Sequence, residues 1–290
     1  MSIRSSIIFS AVALHMIGVI HGQEPPKSGR VMTWVPPYAV SACKERLNQS
    51  FDGIGMKDGL THLGLQFWSP TSKGGIELVD RFKVIDESTI SEFRKWGDAH
   101  GVRIMLCVYN GSGSGWDWGL AMTAFEEHRV KFVEALVSET LRLKLDGIDI
   151  DLEGNGKLDE SRAAFVRFIE ELSKRLHAEG KELTVDSFAY KWNAPNQNWW
   201  PALLPHVDAL HVMGYAETGA GAAEWQGIPV EKNLQWVVEN QSIGIAIWDA
   251  QLKAPVWRAK AMWQAIAKIK NGAEQGVADQ RPAAVESKPK

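Results

Sequence analysis

The stretch KLDGIDIDLEGNGKLDE, residues 144–160, contains six acidic side chains, and the way it folds decides the architecture of the chain. In a β-strand alternate residues share a face, so Asp149, Asp151 and Glu153 would point to one side and the aliphatic residues between them to the other. Successive members of this row would lie about 6.6 Å apart along the strand. A strand therefore predicts a row of carboxylates with Glu153 nearest its carboxyl end.

A calcium-binding loop is the competing interpretation of the same residues. Counted from Asp149, acids occupy positions 1, 3 and 5, Gly154 occupies position 6 and Glu160 position 12, as in an EF-hand. Position 8, which is usually apolar, is Gly156, and the aliphatic residues between the acids would be exposed in such a loop. A buried strand accommodates these aliphatic side chains, so we interpret the stretch as a strand.

Apolar, β-branched segments of the same kind recur along the chain and alternate with segments of helical periodicity. Strands are predicted at residues 29–37, 60–70, 102–110, 145–153, 182–190, 207–215 and 242–249. The short segment AAEWQG, residues 222–227, is the candidate for a further strand, the seventh of eight, and it has the weakest pattern. With it, the α/β pattern predicts a single (β/α)8 TIM barrel, and without it an open doubly wound sheet is the alternative.

The two ends of the chain differ from this central part. Residues 1–22 have a basic residue ahead of a short apolar run that ends in glycine, as in a secretory signal peptide. The run is shorter than the roughly 20 apolar residues that cross a bilayer, so we expect a secreted or periplasmic chain without a membrane span. The barrel domain is predicted at 23–270, and 271–290, which lacks apolar periodicity, is predicted to be disordered.

Composition excludes several classes of function. A net charge of −3 offers no basic surface for nucleic acid. The eight histidines have no metal-site spacing, so we expect no metal and no cofactor. The two cysteines, Cys43 and Cys107, are interpreted either as a disulfide or as two buried thiols. Thirteen tryptophans are many for this length, and their flat rings suit core packing and stacking on sugars.

The carboxylate row resembles a known signature. The segment LDGIDIDLE is similar to the DGxDxDxE motif of family-18 glycoside hydrolases, the chitinases and endo-β-N-acetylglucosaminidases, and it has every acid of that motif: Asp146, Asp149, Asp151 and Glu153. The segment VMGY resembles the sixth strand of that family, with Tyr215, and IGIAIWD resembles its eighth, with Trp248. The resemblance covers about residues 31–265 and implies a (β/α)8 barrel.

The resemblance also implies a role for each acid of the row. Glu153 would protonate the glycosidic oxygen while the 2-acetamido carbonyl of the substrate attacks the anomeric carbon, without a protein nucleophile. Asp151 would hold the acetamido N–H and offset the positive charge of the oxazolinium. Asp149 would share a proton with Asp151.

Three aromatic residues are candidates for substrate contacts. By the resemblance, Tyr215 would donate a hydrogen bond to the acetamido group, and Trp248 would form an apolar floor under the sugar. Trp68 ends the second predicted strand, where stacking on a sugar and packing in the core are alternatives. A core position is also the alternative for Tyr215.

The chain departs from the family pattern on the third and sixth strands. The usual Ser-x-Gly-Gly is replaced by a segment with Cys107, Tyr109 and Asn110, and Ala216 follows the sixth-strand tyrosine instead of a polar residue. We therefore expect a retaining hydrolase of β-linked N-acetylglucosamine (GlcNAc) glycans, chitin or chitooligosaccharides, with subsites of its own shape. The alternatives are an endo-β-N-acetylglucosaminidase acting on N-glycans or another GlcNAc polymer, and a non-catalytic sugar-binding barrel.

Overall fold

The computed structural model describes residues 30–79, 83–112, 115–154, 159–188, 199–213, 245–251 and 267. Within these ranges the strands are β1 Val31–Val35, β2 Ser50–Phe51, β3 Ile54–Gly55, β4 His62–Pro70, β5 Ile76–Leu78, β6 Arg103–Tyr109, β7 Gly111–Ser112, β8 Gly115–Trp116, β9 Gly147–Asp151, β10 Glu182–Phe188, β11 Ala209–Met213 and β12 Ile245–Ile247. The helices are α1 Val40–Leu47, α2 Met56–Gly59, α3 Glu87–His100, α4 Trp118–Met122, α5 Arg129–Arg142, α6 Arg162–Ala178 and α7 Trp200–Leu203. Shorter helical turns are the π-helical Thr123–Glu127 and the 3-10 turns Asp159–Ser161 and Leu204–His206.

Seven parallel strands of the described ranges form one sheet that curls back on itself. Their order is β11-β10-β9-β6-β4-β1-β12, so neighbours in the sheet are also neighbours in the chain until β12 returns to pair with β1. An open doubly wound sheet would place its first strand in the middle instead. The predicted (β/α)8 barrel is therefore confirmed, although the candidate strand at 222–227 lies outside the described residues.

Helix α6 illustrates how the outer layer forms. The sequence predicts it from apolar residues at helical spacing and a stop at Gly180, and the helix ends at Ala178. Gly180 has φ 65°, a left-handed conformation that glycine adopts without strain. The buried face of α6 packs into the core that lies between the helices and the strands. This face consists of Ala164, Phe165, Phe168, Ile169, Leu172, Ser173 and Leu176.

The barrel interior holds a second, smaller apolar cluster. Its buried members, which come from β1 and β6, are Met32, Trp34, Met105 and Cys107. The side chains of Ala246 and Trp248 pack against them. The inside of the barrel is thus closed by side chains beneath the carboxyl ends of the strands.

The amino-terminal end of the barrel is closed by an ion network around Glu182. Its carboxylate accepts a hydrogen bond from Arg30 at 2.9 Å, pairs with Arg103 and meets His62 Nε2 at 2.9 Å. Burial alone would raise the pKa of Glu182, but the bond to His62 and the two arginine charges lower it to about 2. Burial, with the arginine charges nearby, lowers the pKa of His62 to about 4, so this histidine is neutral at pH 7.

The cysteines are separate thiols in the described structure. Cys43 lies on α1 and Cys107 on β6, and both are buried and free. Of the two interpretations of the sequence, the structure therefore has the buried thiols.

The predicted signal peptide, residues 1–22, and the predicted tail, residues 271–290, lie outside the described residues. Among the helices of the described ranges, none combines the length and the apolar character needed to cross a membrane.

Candidate active site

Strand β9 carries the carboxylate row. Asp149 and Asp151 point into the barrel, and Glu153 follows two residues after Asp151, at the carboxyl end of the strand. The three residues are 0%, 3% and 9% exposed, respectively. The strand interpretation of this stretch is thus confirmed over Gly147–Asp151, and an EF-hand loop beginning at Asp149 is incompatible with it.

The first residues of the signature position β9 rather than face the row. Asp146 Oδ2 accepts the backbone N–H of Ile104 at 2.7 Å and pairs with Arg94 of α3. A Cβ atom at Gly147 would lie 2.3 Å from the carbonyl oxygen of Glu182, so only glycine allows β10 to approach this closely. These contacts fix the height of β9 in the barrel.

Asp149 is the deepest member of the row and has the most partners. Its Oδ2 accepts a hydrogen bond from Trp34 Nε1 at 2.7 Å, and its Oδ1 accepts one from Thr184 Oγ1 at 2.5 Å. His211 Nδ1 lies 3.4 Å from the same Oδ1. Burial would raise the pKa of Asp149, but the bonds to His211, Thr184 and Trp34 outweigh it and lower the pKa below its ordinary value.

Asp151 and Glu153 have raised pKa values, in contrast to Asp149. Gln66 Nε2 donates to Asp151 Oδ2 at 2.7 Å, whereas the buried Oδ1 has no hydrogen-bond partner among the described residues. Burial and the charge of Asp149 raise the pKa of Asp151 to about 7. Burial and the charge of Asp151 raise the pKa of Glu153 to about 10. Glu153 therefore holds a proton at neutral pH, as a general acid requires.

Asn110 holds the backbone of Glu153, a contact that the sequence does not predict. The Asn110 Oδ1 atom accepts the Glu153 N–H at 2.8 Å, and Nδ2 donates to the Glu153 carbonyl oxygen at 2.7 Å. Asn110 is 1% exposed and follows β6 directly. Its position at the end of a predicted strand was the only signal, because the partner lies 43 residues away.

Asp186 and His211 also belong to the site, and sequence reasoning missed both. They are directly opposite each other on β10 and β11, and His211 Nδ1 lies 2.9 Å from Asp186 Oδ1. With Asp149 they form a buried group whose ligand-capable atoms lie within 4.8 Å of one another, a set able to hold a metal ion. An ionisable residue in the interior of each strand was the available signal.

The charges of this group depend on one another. Burial would lower the pKa of His211, but its bonds to Asp149 and Asp186 outweigh burial and raise the pKa to about 9. Burial and the charge of Asp149 raise the pKa of Asp186 well above its ordinary value.

Trp248 lies at the same end of the barrel as the row. It follows β12 directly and is joined to Asp249 by a cis peptide bond, and its ring centroid is 6.0 Å from that of Trp34, with the planes at 41°. Trp34 itself bonds to Asp149, so the row and Trp248 adjoin the same indole. A Cβ atom at Gly64 would lie 2.5 Å from Trp34 Cδ1, so glycine makes room for this ring.

Trp68, another aromatic candidate, does not lie at the row. Trp68 is 1% exposed, faces α5 and donates from Nε1 to Glu139 at 3.4 Å. A register shift after Gln66 pairs Trp68 with Val108, an outward position, which turns the indole away from the interior. The core alternative thus describes Trp68, and the expected sugar contact is not made there. Tyr215 lies outside the described residues.

Comparison with known proteins gives consistent matches. The model of the glycosyl hydrolases family 18 matches residues 37–277. The endochitinase of Manduca sexta is 26% identical over 208 residues, which are 65% of this chain and 36% of the endochitinase. A chitinase structure from Chromobacterium violaceum has a TM-score of 0.54 at 21% identity and covers 73% of this chain and 65% of that one. A family-18 chitinase from Flavobacterium johnsoniae has a TM-score of 0.57 at 18% identity, covering 84% and 94%.

These matches differ in what they establish. The solved structures, at 21% and 18% identity, support the barrel fold alone. The match spans little more than a third of the insect endochitinase, 36% of its length. The family model, in contrast, extends over most of the chain and includes all acids of the signature. The chain therefore belongs to the glycosyl hydrolases of family 18.

Proposed function

We propose that the chain is a secreted, retaining glycoside hydrolase that cleaves chitin or chitooligosaccharides by substrate-assisted catalysis. The observation that carries this proposal is the pair formed by Asp151 and Glu153. Burial keeps Glu153 protonated at neutral pH, and Asp151 next to it has one buried oxygen without a partner among the described residues. A proton donor next to a carboxylate that can stabilise a cation fits a substrate that supplies its own nucleophile.

In the proposed first step, Glu153 gives its proton to the glycosidic oxygen and the bond from that oxygen to the anomeric carbon breaks. The acetamido carbonyl oxygen of the same sugar forms the new bond to the anomeric carbon, which yields an oxazolinium ion. Asp151 Oδ1 accepts the acetamido N–H, and its negative charge stabilises the cation.

In the second step, the Glu153 carboxylate takes a proton from water, and the resulting hydroxide opens the oxazolinium. Because the anomeric carbon is attacked twice from opposite faces, the product keeps the β configuration. Trp248, beside Trp34, would provide the apolar floor under the sugar.

The choice of chitin follows the names of the similar proteins, an endochitinase and two chitinases. An endo-β-N-acetylglucosaminidase on N-glycans or on another GlcNAc polymer would use the same acids. Product analysis on chitooligosaccharides and on a glycoprotein distinguishes them, and cleavage of the glycoprotein alone would replace chitin as the substrate.

The test of the mechanism is Glu153→Gln, which keeps the shape of the side chain and removes the proton donor. We expect turnover to fall by about 100-fold or more, with folding and sugar binding retained. Glu127→Gln, the same change at an exposed position of the π-helical turn, is the matched control. Unchanged turnover in Glu153→Gln would remove the general-acid assignment, whereas sugar binding without turnover in the wild type would favour a sugar-binding barrel.

A second test addresses the nucleophile. If the acetamido group attacks, a fully deacetylated oligomer should not be cleaved, and the first product seen by NMR should be the β-anomer. An α-anomer as first product, or undiminished cleavage of the deacetylated oligomer, would contradict substrate assistance.

Export is proposed from the sequence of residues 1–22. Amino-terminal sequencing of material recovered outside the cytoplasm should begin at or near Gln23. Recovery of the chain in membranes, still beginning at Met1, would refute this part of the proposal.

A further inference from the structure

A buried histidine lies beside Asp149 of the carboxylate row. His211 and Asp186 face each other across β11 and β10, and both side chains point into the barrel. The assigned roles of the row do not use either residue. An ionisable pair in the barrel core is costly unless its charges are matched, so its presence needs a physical explanation.

The surroundings of His211 place a hydrogen on Nδ1, whereas the buried Nε2 has no hydrogen-bond partner among the described residues. Its Nδ1 faces Asp186 Oδ1 at 2.9 Å and Asp149 Oδ1 at 3.4 Å, and both of these atoms are oxygens of carboxyl groups. A lone pair on Nδ1 would be directed at the electron pairs of Asp149, whose pKa is lowered, so Nδ1 carries a hydrogen and donates it. The edge of the ring meets Trp34 at 5.3 Å between centroids, with the planes at 86°.

The other ionisable groups near His211 are acids and a thiol. Asp151 lies two residues further along β9 than Asp149, and Glu153 lies beyond the end of the strand. Cys107 faces Asp149 from β6 and is fully buried, and burial raises the pKa of its thiol, so it is uncharged. Among the described residues, no lysine or arginine pairs with Asp149, and its other donors, Trp34 and Thr184, are neutral. His211 is therefore the cation available to Asp149 in this part of the structure.

We propose that His211 is a positioning residue: as an imidazolium held between Asp149 and Asp186, it keeps Asp149 ionised and thereby confines the exchangeable proton of the row to Asp151 and Glu153. This rests on the proposed function, in which those two residues act on the substrate. In this proposal Asp149 does not share a proton with Asp151, in contrast to the role implied by the family resemblance. A proton drawn down to Asp149 would be too deep to reach a glycosidic oxygen.

Removal of the cation has a definite electrostatic consequence. In His211→Gln, the buried acids lose one positive neighbour, so each of them binds its proton more tightly. The Asp149–Asp151 pair would then take up its proton at higher pH and lose the charge that stabilises the oxazolinium. The acidic limb of the pH profile of kcat/KM should shift upward by about one pH unit or more.

The chain provides a matched control in His62. It is also a buried histidine next to a carboxylate, Glu182, but that carboxylate is already paired with Arg30 and Arg103. His62→Gln removes the same side chain at the opposite end of the barrel. Its pH profile should keep the position of both limbs, even if the fold is less stable.

The decisive measurement does not require a mutant that folds. In protein with 15N-labelled histidine, NMR should show His211 with both ring nitrogens protonated at pH 7, while His62 is neutral. A neutral His211 at pH 7 would overturn the proposal, and so would a His211→Gln profile that is lower at every pH but not shifted. Unchanged turnover in Glu153→Gln would instead refute the proposed function and leave the NMR result standing.

A metal ion is the rival explanation of the same three residues. An ion bound by Asp149, Asp186 and His211 would replace the hydrogen on Nδ1. We expect neither EDTA nor added Zn²⁺ to change the melting temperature or the His211 signals. A rise in melting temperature with Zn²⁺, together with loss of the Nδ1 proton, would assign a metal site and overturn the proposal.

Discussion

Replacing the proposed general acid should make the protein more stable. Glu153 is 9% exposed, and burial and the charge of Asp151 raise its pKa from 4.5 to about 10. Below pH 4.5 the folded and unfolded chains both hold this proton. Between pH 4.5 and about 10 the unfolded chain releases the proton and the folded chain keeps it, so the free energy of unfolding falls as pH rises.

The size of the effect follows from the same pKa values. At pH 7 the solution is about 2.5 pH units above the pKa of Glu153 in the unfolded chain, and each unit corresponds to about 1.4 kcal/mol. Glu153 therefore lowers the free energy of unfolding by about 3 kcal/mol. Glutamine has no proton to lose and avoids this cost. Glu153→Gln should therefore exceed the wild type by up to about 3 kcal/mol at pH 7, which is several degrees in melting temperature for a domain of this size.

The assay is equilibrium unfolding in urea at a series of pH values from 4.5 to 8. The difference in unfolding free energy between Glu153→Gln and wild type should grow from near zero by about 1.4 kcal/mol per pH unit. For Glu127→Gln, at an exposed position, the difference should stay flat. A Glu153→Gln protein that is less stable than wild type at pH 7, or a difference independent of pH, would refute a buried, protonated Glu153.

Three further substitutions test contacts around the row. Asn110→Ala removes the hydrogen-bond partners of the buried Glu153 N–H and carbonyl groups. We expect a loss of about 2 kcal/mol of stability in urea unfolding and at least about a 10-fold fall in kcat in steady-state kinetics. An unchanged kcat would contradict a positioning role. Trp248→Ala should raise KM for chitooligosaccharides by about 10-fold at an unchanged fold. Trp68→Phe should cost about 1 kcal/mol of stability and leave KM unchanged, and a raised KM would return Trp68 to the cleft.

Alternation along a strand made the carboxylate row predictable. On β9 every second residue is an acid and the residues between them are aliphatic, a pattern that only one pleat satisfies. A second local pattern located the seven described parallel strands of the barrel. Strands of this kind are buried on both faces and are therefore near-continuous apolar runs. Local sequence was sufficient wherever one strand determined the outcome by itself.

The contacts that were missed depend on two or more strands. Asn110 meets Glu153, and His211 meets both Asp186 and Asp149, only after the register of the sheet is set. The sequence left the position of Trp68, in the core or at the sugar site, undecided for a related reason. The register shift that turns it outward is a relation between β4 and β6, and neither strand shows it alone.

The two ends of the barrel should give stability opposite dependences on pH. Burial lowers the pKa of His62 to about 4, so its contribution is lost as pH falls from 6.5 towards 4, and the contribution of Glu182 is lost as pH falls from 4.5 towards 2. At the other end Asp151, with a pKa of about 7, and Glu153 make the fold less stable as pH rises above 4.5. The bonds to Asp149 and Asp186 raise the pKa of His211 to about 9 against the effect of burial, so its contribution is lost as pH rises from 6.5 to about 9.

The rising and falling contributions cross on the acidic side of neutrality. We therefore expect the free energy of unfolding to peak between about pH 4 and pH 5 and to decline steadily above pH 6.5, where His211 joins the acids of raised pKa in opposing folding. Urea unfolding from pH 3 to pH 9 measures this curve. Glu153→Gln removes one falling contribution and should move the peak to higher pH, whereas His62→Gln removes a rising one and should move it lower. A wild-type maximum above pH 7 would mean that the row is not the buried, proton-holding site from which its chemistry is inferred.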